Sequence, residues 1–178
     1  AALAIQNDII NKEMIERQHL EHEFQLARQI QQTFLPDQKP ELRGWELDVH
    51  WETARQVGGD FYDYFLLPDG RLALVIADVS DKGLAASLYM SVTRTLIRAA
   101  ALESNSTSET LERVNNLLLL NSQEGLFITA FYGILSLEDG VLQYTIAGHN
   151  PPLILRSETN DVIEIAKGGI ALGALPDI

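Results

Sequence analysis

The stretch VGGDFYDYFLLPDGRLALVIADVSDKG, residues 57–83, contains two apolar runs joined by a turn and bounded by acidic side chains. The triplet PDG between the runs is typical of a tight turn, so the runs are predicted to pair as an antiparallel hairpin. Asp60 stands just before the first run, and Asp78 ends the second. A carboxylate in such a place is costly to bury unless it is paired or binds a metal ion. The hairpin therefore predicts both a sheet and a candidate site at one of its ends.

Two glycines, Gly58 and Gly59, precede the first of these acids. Glycine beside a strand indicates a bulge or a close approach of two backbones. If Asp60 and Asp78 lie side by side, their charges repel, and a divalent cation between them relieves the repulsion. Hard oxygen ligands select Mg²⁺ or Mn²⁺. The alternative is that Asp78 belongs to a turn or a helix cap and that GGD is a plain bulge, and the pattern alone leaves both open.

Two helices are predicted after this hairpin. The first covers residues 83–102, and the second, which Ser106 or Thr107 could cap, runs to about Leu120. The apolar positions of the first helix are Leu84, Leu88, Val92, Leu96 and Ile97.

Further strands are predicted on both sides of the helices. They cover WELDVHW at residues 45–51, then residues 126–137, 141–148, 153–156 and 162–165, with turns such as EDG between them. Strands grouped around a helical pair are typical of an α+β fold with mainly antiparallel sheets.

The N-terminal segment lacks Gly and Pro until Pro36 and is predicted to form one long helix. We therefore divide the chain into a linker or coiled-coil helix at residues 1–35 and a globular domain at residues 36–178. A 3-4 spacing passes through Leu20, Phe24, Ala27, Gln31 and Phe34. This spacing fits a coiled coil, and the alternative is an amphipathic helix packed on its own domain.

Composition excludes several classes of protein. The formal net charge of −12 argues against a general nucleic-acid backbone binder, which needs a basic surface. The absence of cysteine excludes disulfides and thiolate metal sites. No apolar run is long enough to span a membrane and no signal-peptide pattern opens the chain, so we expect a cytoplasmic protein.

Five motifs occur in a characteristic order: VGGDFYDYF, IADVSDKGLAASLYM, FITAFYGIL, AGHNPPLIL and KGGIALG. In these motifs the chain resembles the SpoIIE-like, RsbU-type bacterial branch of the metal-dependent Ser/Thr protein phosphatases (PPM, type 2C), from about Ala27 to its end. The resemblance implies an αββα sandwich of two antiparallel sheets flanked by helices, here preceded by a coiled-coil-like helix. It also implies hydrolysis of phosphoserine or phosphothreonine on proteins by a water that two Mn²⁺ or Mg²⁺ ions activate.

The resemblance assigns roles to residues of the motifs. Asp78 is the expected ligand that bridges both ions, the carbonyl of Val79 binds one of them, and Asp60 binds the other directly or through water. Arg55 is a candidate for holding the substrate phosphate, a task that suits a guanidinium group.

Three further residues are expected around the ligands. Asp63 is a candidate for hydrogen bonding to a ligand, and Asp81 is expected to cap the following helix. His149 is expected to stabilise the HNPP turn, and a role as general acid is the alternative. The remaining histidines, His19, His22 and His50, are expected at the surface.

The resemblance also implies partners and one departure. The usual substrate is a phosphorylated anti-anti-sigma factor, an upstream sensor domain supplies the signal, and the N-terminal helix could form a homodimer. Relatives carry two more metal-binding acids, in a TDG motif and near the C-terminus, whereas the sequence given ends at Ile178 before either. We therefore expect weak metal binding and little or no turnover from the chain as given. The alternative function is a non-catalytic partner-binding or dimerisation module of the same fold.

Overall fold

The structure is a computed structural model that describes residues 2–53, 56–120, 125–166 and 168–176. Its elements in chain order are α1 (Ala2–Phe34), β1 (Phe61–Leu66), β2 (Leu72–Val79), α2 (Leu84–Ala101), α3 (Thr107–Leu120), β3 (Ile128–Leu135), β4 (Leu142–Ala147), β5 (Leu153–Leu155) and β6 (Val162–Glu164).

Strands β1 to β4 form one sheet in the order β1-β2-β3-β4, with every neighbouring pair antiparallel. The PDG turn closes the first hairpin, where the Leu67 N–H donates to the Arg71 carbonyl at 2.8 Å. Strands β5 and β6 pair as a second, two-stranded sheet. The predicted α+β architecture with antiparallel sheets is confirmed, and the second sheet contains only this hairpin within the part of the chain that the structure describes.

Helices α2 and α3 cover one face of the large sheet. Alternate residues of β2 enter the core on that side with Met90 and Ile97 of α2 and Val114 of α3. The β2 residues on this side are Ala73, Val75, Ala77 and Val79. Since successive strand residues point to opposite faces, Asp78 lies on the face turned away from the helices.

The face turned away from the helices is partly open. A cavity of about 540 Å³ lies between it and residues 47–51, and Ile76 on this face is 52% exposed. The strand predicted at residues 45–51 is wrong, because this segment pairs with no strand among the described residues. It is held to the sheet by a side chain instead, since the indole Nε1 of Trp51 donates to the Asp60 carbonyl at 3.0 Å.

Helix α1 is a single helix, as predicted, and among its described side chains only those near its C-terminal end are packed on the domain. Gln31 is 2% exposed and Leu35, just after the helix, is 8% exposed, whereas Leu20 is 53% exposed. The alternative of a helix packed on its own domain therefore describes the last turns of α1. The coiled coil stays a prediction for the earlier turns.

The two predicted helices are both present, but α2 turns an unexpected face to the sheet. Of its predicted apolar positions, Ile97 is fully buried, whereas Leu84, Leu88 and Val92 are exposed. Smaller residues are buried in their place, among them Ala86, Ser87 and Thr93. Helix α3 begins as predicted, since the Glu109 N–H donates to the Ser106 side chain at 3.3 Å. Among the described residues, no helix has the length and apolar character that crossing a membrane requires.

Candidate functional site

Asp60 and Asp78 meet at the open end of the first hairpin. Phe61 pairs with Ala77, so one further step of the antiparallel register places Asp60 opposite Asp78. A cavity of about 320 Å³ opens here. Its lining consists of Val57, Gly58, Gly59, Asp60, Asp78, Val79, Ser80, Asp81 and Lys82. The structure thus brings together the two acids that the sequence singled out.

Ionisation of both carboxyl groups is unfavourable when no cation lies beside them. Partial burial, a hydrogen bond with the Asp60 carboxyl and the charge of Asp60 raise the pKa of Asp78 from 3.8 to about 6, and Lys82 opposes this rise. The two carboxyl groups are therefore close enough to share a proton. A cation beside the pair would favour the ionised form of both carboxyl groups, so the pair is a suitable set of cation ligands.

The backbone approaches closely beside the pair. A Cβ atom added to Gly59 would lie 2.8 Å from the Val79 carbonyl oxygen and 3.3 Å from the Ala86 Cβ. The predicted role of this glycine, to permit a close approach of two backbones, is confirmed. The Val79 carbonyl oxygen consequently lies at the same cavity as the two carboxylates.

Asp63 lies on the helix-covered face of the sheet and is engaged there. Arg98 donates to both carboxylate oxygens, from Nε at 2.6 Å and from Nη2 at 2.7 Å. The Arg94 Nη2 donates to the same carboxylate at 3.3 Å. The Asp63 side chain is only 1% exposed, so these arginines offset a charge that would otherwise be buried without a partner. Its predicted link to the metal ligands stays a prediction.

Asp81 does not cap helix α2, so that prediction is wrong. The cap residue is Gly83, and no side chain caps this end of α2. Asp81 has a positive φ of 87° and its carboxylate accepts a hydrogen bond from the Lys82 N–H at 2.7 Å. The carboxylate therefore stabilises the loop before the helix, at the rim of the cavity.

His149 is half-buried beside the acid pair. Its Nδ1 lies 2.9 Å from the Thr129 Oγ1 on β3, and Thr129 is the register partner of Asp78. Burial lowers the pKa of His149 from 6.5, whereas the charge of Asp60 raises it. Arg55 lies outside the described residues, and the other three histidines are exposed, as predicted.

A family model described as Stage II sporulation protein E (SpoIIE) matches residues 68–178. The chain belongs to the SpoIIE family. It is 35% identical to Protein IcfG of Synechocystis sp., over 87% of this chain and 28% of that protein. It is 27% identical to Phosphoserine phosphatase RsbU of Bacillus subtilis, over 90% of this chain and 48% of that protein. The chain thus spans half or less of the length of these relatives.

A solved structure supports the same assignment. The RsbU and RsbW domains of Rv1364c from Mycobacterium tuberculosis superpose with a TM-score of 0.60 at 32% identity, over 69% of this chain and 34% of that one. The resemblance to an RsbU-type PPM domain is thereby confirmed, and with it the antiparallel fold of this SpoIIE-family chain.

The oxygen atoms at the acid pair are suitable ligands for a hard divalent cation, although they form only part of a complete coordination site. They are two carboxylates and a carbonyl oxygen, which are the ligand types that Mg²⁺ and Mn²⁺ prefer. Within the described ranges, no three side chains of His, Asp or Glu come together as a metal-binding group. Among the described residues, the SpoIIE-family motifs therefore bring two acids together at this cavity.

Sequence reasoning missed one residue that touches the acid-bearing loop. The side-chain amide of Gln31, on α1, forms two hydrogen bonds with the backbone of Gly58. The only signal for it was a polar residue inside the apolar 3-4 spacing of the N-terminal helix.

Proposed function

We propose that this SpoIIE-family chain is the phosphatase portion of a metal-dependent phosphoserine or phosphothreonine protein phosphatase. The observation that carries the proposal is the pairing of Asp60 and Asp78 in one cavity with the Val79 carbonyl. The name of the relative RsbU, a phosphoserine phosphatase, supports the same activity.

The residues of the cavity would divide the metal binding between them. In this proposal Asp78 would hold both of two Mn²⁺ or Mg²⁺ ions, the Val79 carbonyl would hold one of them, and Asp60 would hold the other directly or through water. When bound, such ions supply hydroxide near neutral pH and offset the charge on the phosphoryl oxygens. Asp60 and Asp78 would hold the ions, since a cation between the two carboxylates would offset their mutual repulsion.

Two further residues would serve the substrate and the ligands. Arg55 would hold the phosphate, because a guanidinium group can donate two parallel hydrogen bonds to it. His149 would fix Thr129 beside Asp78 through its Nδ1.

The substrate we propose is a phosphorylated protein of the anti-anti-sigma-factor type, in a cytoplasmic signalling pathway. Residues 1–35 would join an upstream sensor domain to the phosphatase domain at residues 36–178. The length of α1 (Ala2–Phe34) supports this division, since its described side chains are packed on the domain only near the C-terminal end.

Mn²⁺ calorimetry and phosphate release from a phosphoserine protein test the proposal together. We expect wild-type protein to bind Mn²⁺ and Asp78→Asn to lose that binding, with any turnover falling by at least about 100-fold. The matched control is Asp139→Asn, in the EDG turn, which should change neither. Turnover that survives in Asp78→Asn, or a wild-type chain that binds no Mn²⁺, contradicts the proposal.

A second candidate function is a partner-binding or dimerisation module of the same fold. The observation that favours it is an exposed apolar stripe on α2, where Leu84, Leu88 and Val92 are 47%, 61% and 51% exposed. Leu26 and Ile30 on α1 are also exposed, at 46% and 59%. A second copy of the chain would cover this surface through the N-terminal helix. Sedimentation velocity of wild type and Leu88→Glu tests it, since a monomeric wild type would exclude the dimer.

A further inference from the structure

The packed end of α1 contains a buried polar side chain whose amide nitrogen and oxygen are both hydrogen-bonded. Gln31 is 2% exposed. Its Nε2 donates to the Gly58 carbonyl at 2.5 Å, and the Gly58 N–H donates to its Oε1 at 3.3 Å. One side chain thus satisfies both backbone groups of a single residue, as a neighbouring strand would.

Gly58 is two residues from Asp60, and contacts of Gly58, Gly59 and Asp60 hold this segment in place. Gly59 lies against the Val79 backbone, where even a Cβ atom has no room. The Asp60 carbonyl accepts a hydrogen bond from Trp51 at 3.0 Å. Gln31 contributes a contact at the Gly58 end of this loop, where no strand pairs with it among the described residues.

We propose that Gln31 is a positioning residue for Asp60: through Gly58, its amide sets the separation of the Asp60 and Asp78 carboxylates. The metal-binding part of this inference rests on the proposed function, whereas the positioning part does not. A consequence is that α1 takes part in the site although it contributes no ligand.

The chemistry of the contact explains why an apolar residue cannot replace Gln31. Methionine has a similar volume and suits the surrounding apolar face, but it leaves the Gly58 N–H and C=O without partners. Unpaired buried backbone groups are costly, so the loop would move to reach water. Since Asp60 is on this loop, its carboxylate would move away from Asp78. Residues that orient metal ligands typically change the affinity for the metal by about 10–100-fold when they are lost.

The first experiment measures Mn²⁺ binding by calorimetry at a temperature at which every variant is folded. We expect Gln31→Met to bind Mn²⁺ about tenfold more weakly than wild type. Gln31→Glu is a second variant, which keeps the acceptor for the Gly58 N–H and loses the donor to the Gly58 carbonyl, and it should also bind more weakly.

Two controls separate positioning from general destabilisation. Gln32→Met changes the neighbouring, exposed glutamine of the same helix and should leave the affinity unchanged. Asn115→Leu removes a second buried amide, which accepts from the Gly173 N–H at 2.7 Å and donates to the Leu175 carbonyl at 3.0 Å. This variant should lower the melting temperature and leave Mn²⁺ affinity within about twofold of wild type.

A second measurement needs no metal. Carboxyl ¹³C NMR follows the titration of Asp78, which in Gln31→Met should shift towards that of an isolated carboxyl group. If Gln31→Met lowers the melting temperature as Asn115→Leu does, with Mn²⁺ affinity and titration unchanged, Gln31 is only structural and the inference is overturned. If wild type binds no Mn²⁺ but the titration shifts, the proposed function fails and the positioning role stands. If wild type binds no Mn²⁺ and the titration of Asp78 does not shift in Gln31→Met, both the proposed function and the positioning role fail.

Discussion

The carboxylate of Asp63 and the guanidinium group of Arg98 form a fork, with two hydrogen bonds of 2.6 and 2.7 Å between them. The fork joins β1 to α2, and Arg98 also lies over the Phe65 ring, 4.6 Å from its centre. Because the Asp63 side chain is 1% exposed, its charge depends on these partners.

Removing this carboxylate is expected to destabilise the fold strongly. Asp63→Asn leaves Arg94 and Arg98 without their counter-charge, and breaking a buried pair in this way costs about 3 kcal/mol of unfolding free energy. Urea denaturation measures the loss. The control is Asp69→Asn, whose carboxylate pairs with Arg71 but is itself 44% exposed, and which should cost less than about 1 kcal/mol. Equal losses of unfolding free energy in the two variants would contradict the view that Asp63 is a buried charge that depends on its arginine partners.

The acids of the first hairpin show what the sequence could and could not predict. The turn residues predict the hairpin locally, whereas the pattern leaves the pairing of Asp60 and Asp78 open and the family resemblance predicts them in one site. Asp63 looked similar in the sequence, but the same register places it opposite Val75, on the helix-covered face. Its arginine partners lie more than thirty residues away, and nothing local to β1 indicates them.

Other differences have the same origin in long-range packing. The alternating residues at 45–51 fit a strand, but a strand requires a partner, and periodicity carries no information about its presence. On α2 the larger side chains suggested the core face, whereas the sheet accepts the face with Ala86 and Ser87 because small residues allow close packing. Gln31 was missed because its two hydrogen bonds cross 27 residues of sequence.

Gly59→Ala is expected to destabilise the protein and to weaken Mn²⁺ binding. The new methyl group would meet the Val79 carbonyl oxygen at 2.8 Å and its Cβ at 3.0 Å, both parts of a rigid strand. Such overpacking costs about 1–3 kcal/mol. Gly58→Ala is the control, since its methyl group meets the Thr53 Cγ2 at 3.3 Å, and it should cost less. Thermal unfolding of both variants shows which of them is less stable. A larger loss of stability in Gly58→Ala than in Gly59→Ala would contradict the close approach of Gly59 to Val79.

His149 is expected to be neutral at pH 7. Burial lowers its pKa from 6.5, and the charge of Asp60 partly offsets this. NMR titration of the imidazole should therefore give a midpoint below 6.5 in wild type and a still lower one in Asp60→Asn. Asp139→Asn should leave the midpoint unchanged. A wild-type midpoint at or above 6.5 would show that His149 is not buried as described.

The stability of the metal-free protein is expected to depend on pH through Asp78. Its pKa rises from 3.8 to about 6 in the folded state, so between these values the folded chain binds more protons than the unfolded chain. Stability from this group is fully present below pH 3.8 and is lost as the pH rises through about 6. Discounted for solvent screening at a partly exposed carboxyl, the loss is about 1 kcal/mol.

Asp78→Asn removes this titration, and the comparison with wild type isolates it from other groups. With a chelator present, the melting temperature of Asp78→Asn relative to wild type should be higher at about pH 7.5 than at about pH 5. Asp139→Asn should show no such trend, because the hydrogen bond with Ser136 lowers the pKa of Asp139 and moves its titration further below this range. Mn²⁺ should stabilise wild type at the higher pH and have no effect on Asp78→Asn, since a cation at the acid pair favours the ionised form. If the difference between Asp78→Asn and wild type is the same at both pH values, Asp78 does not share its site with a second carboxylate.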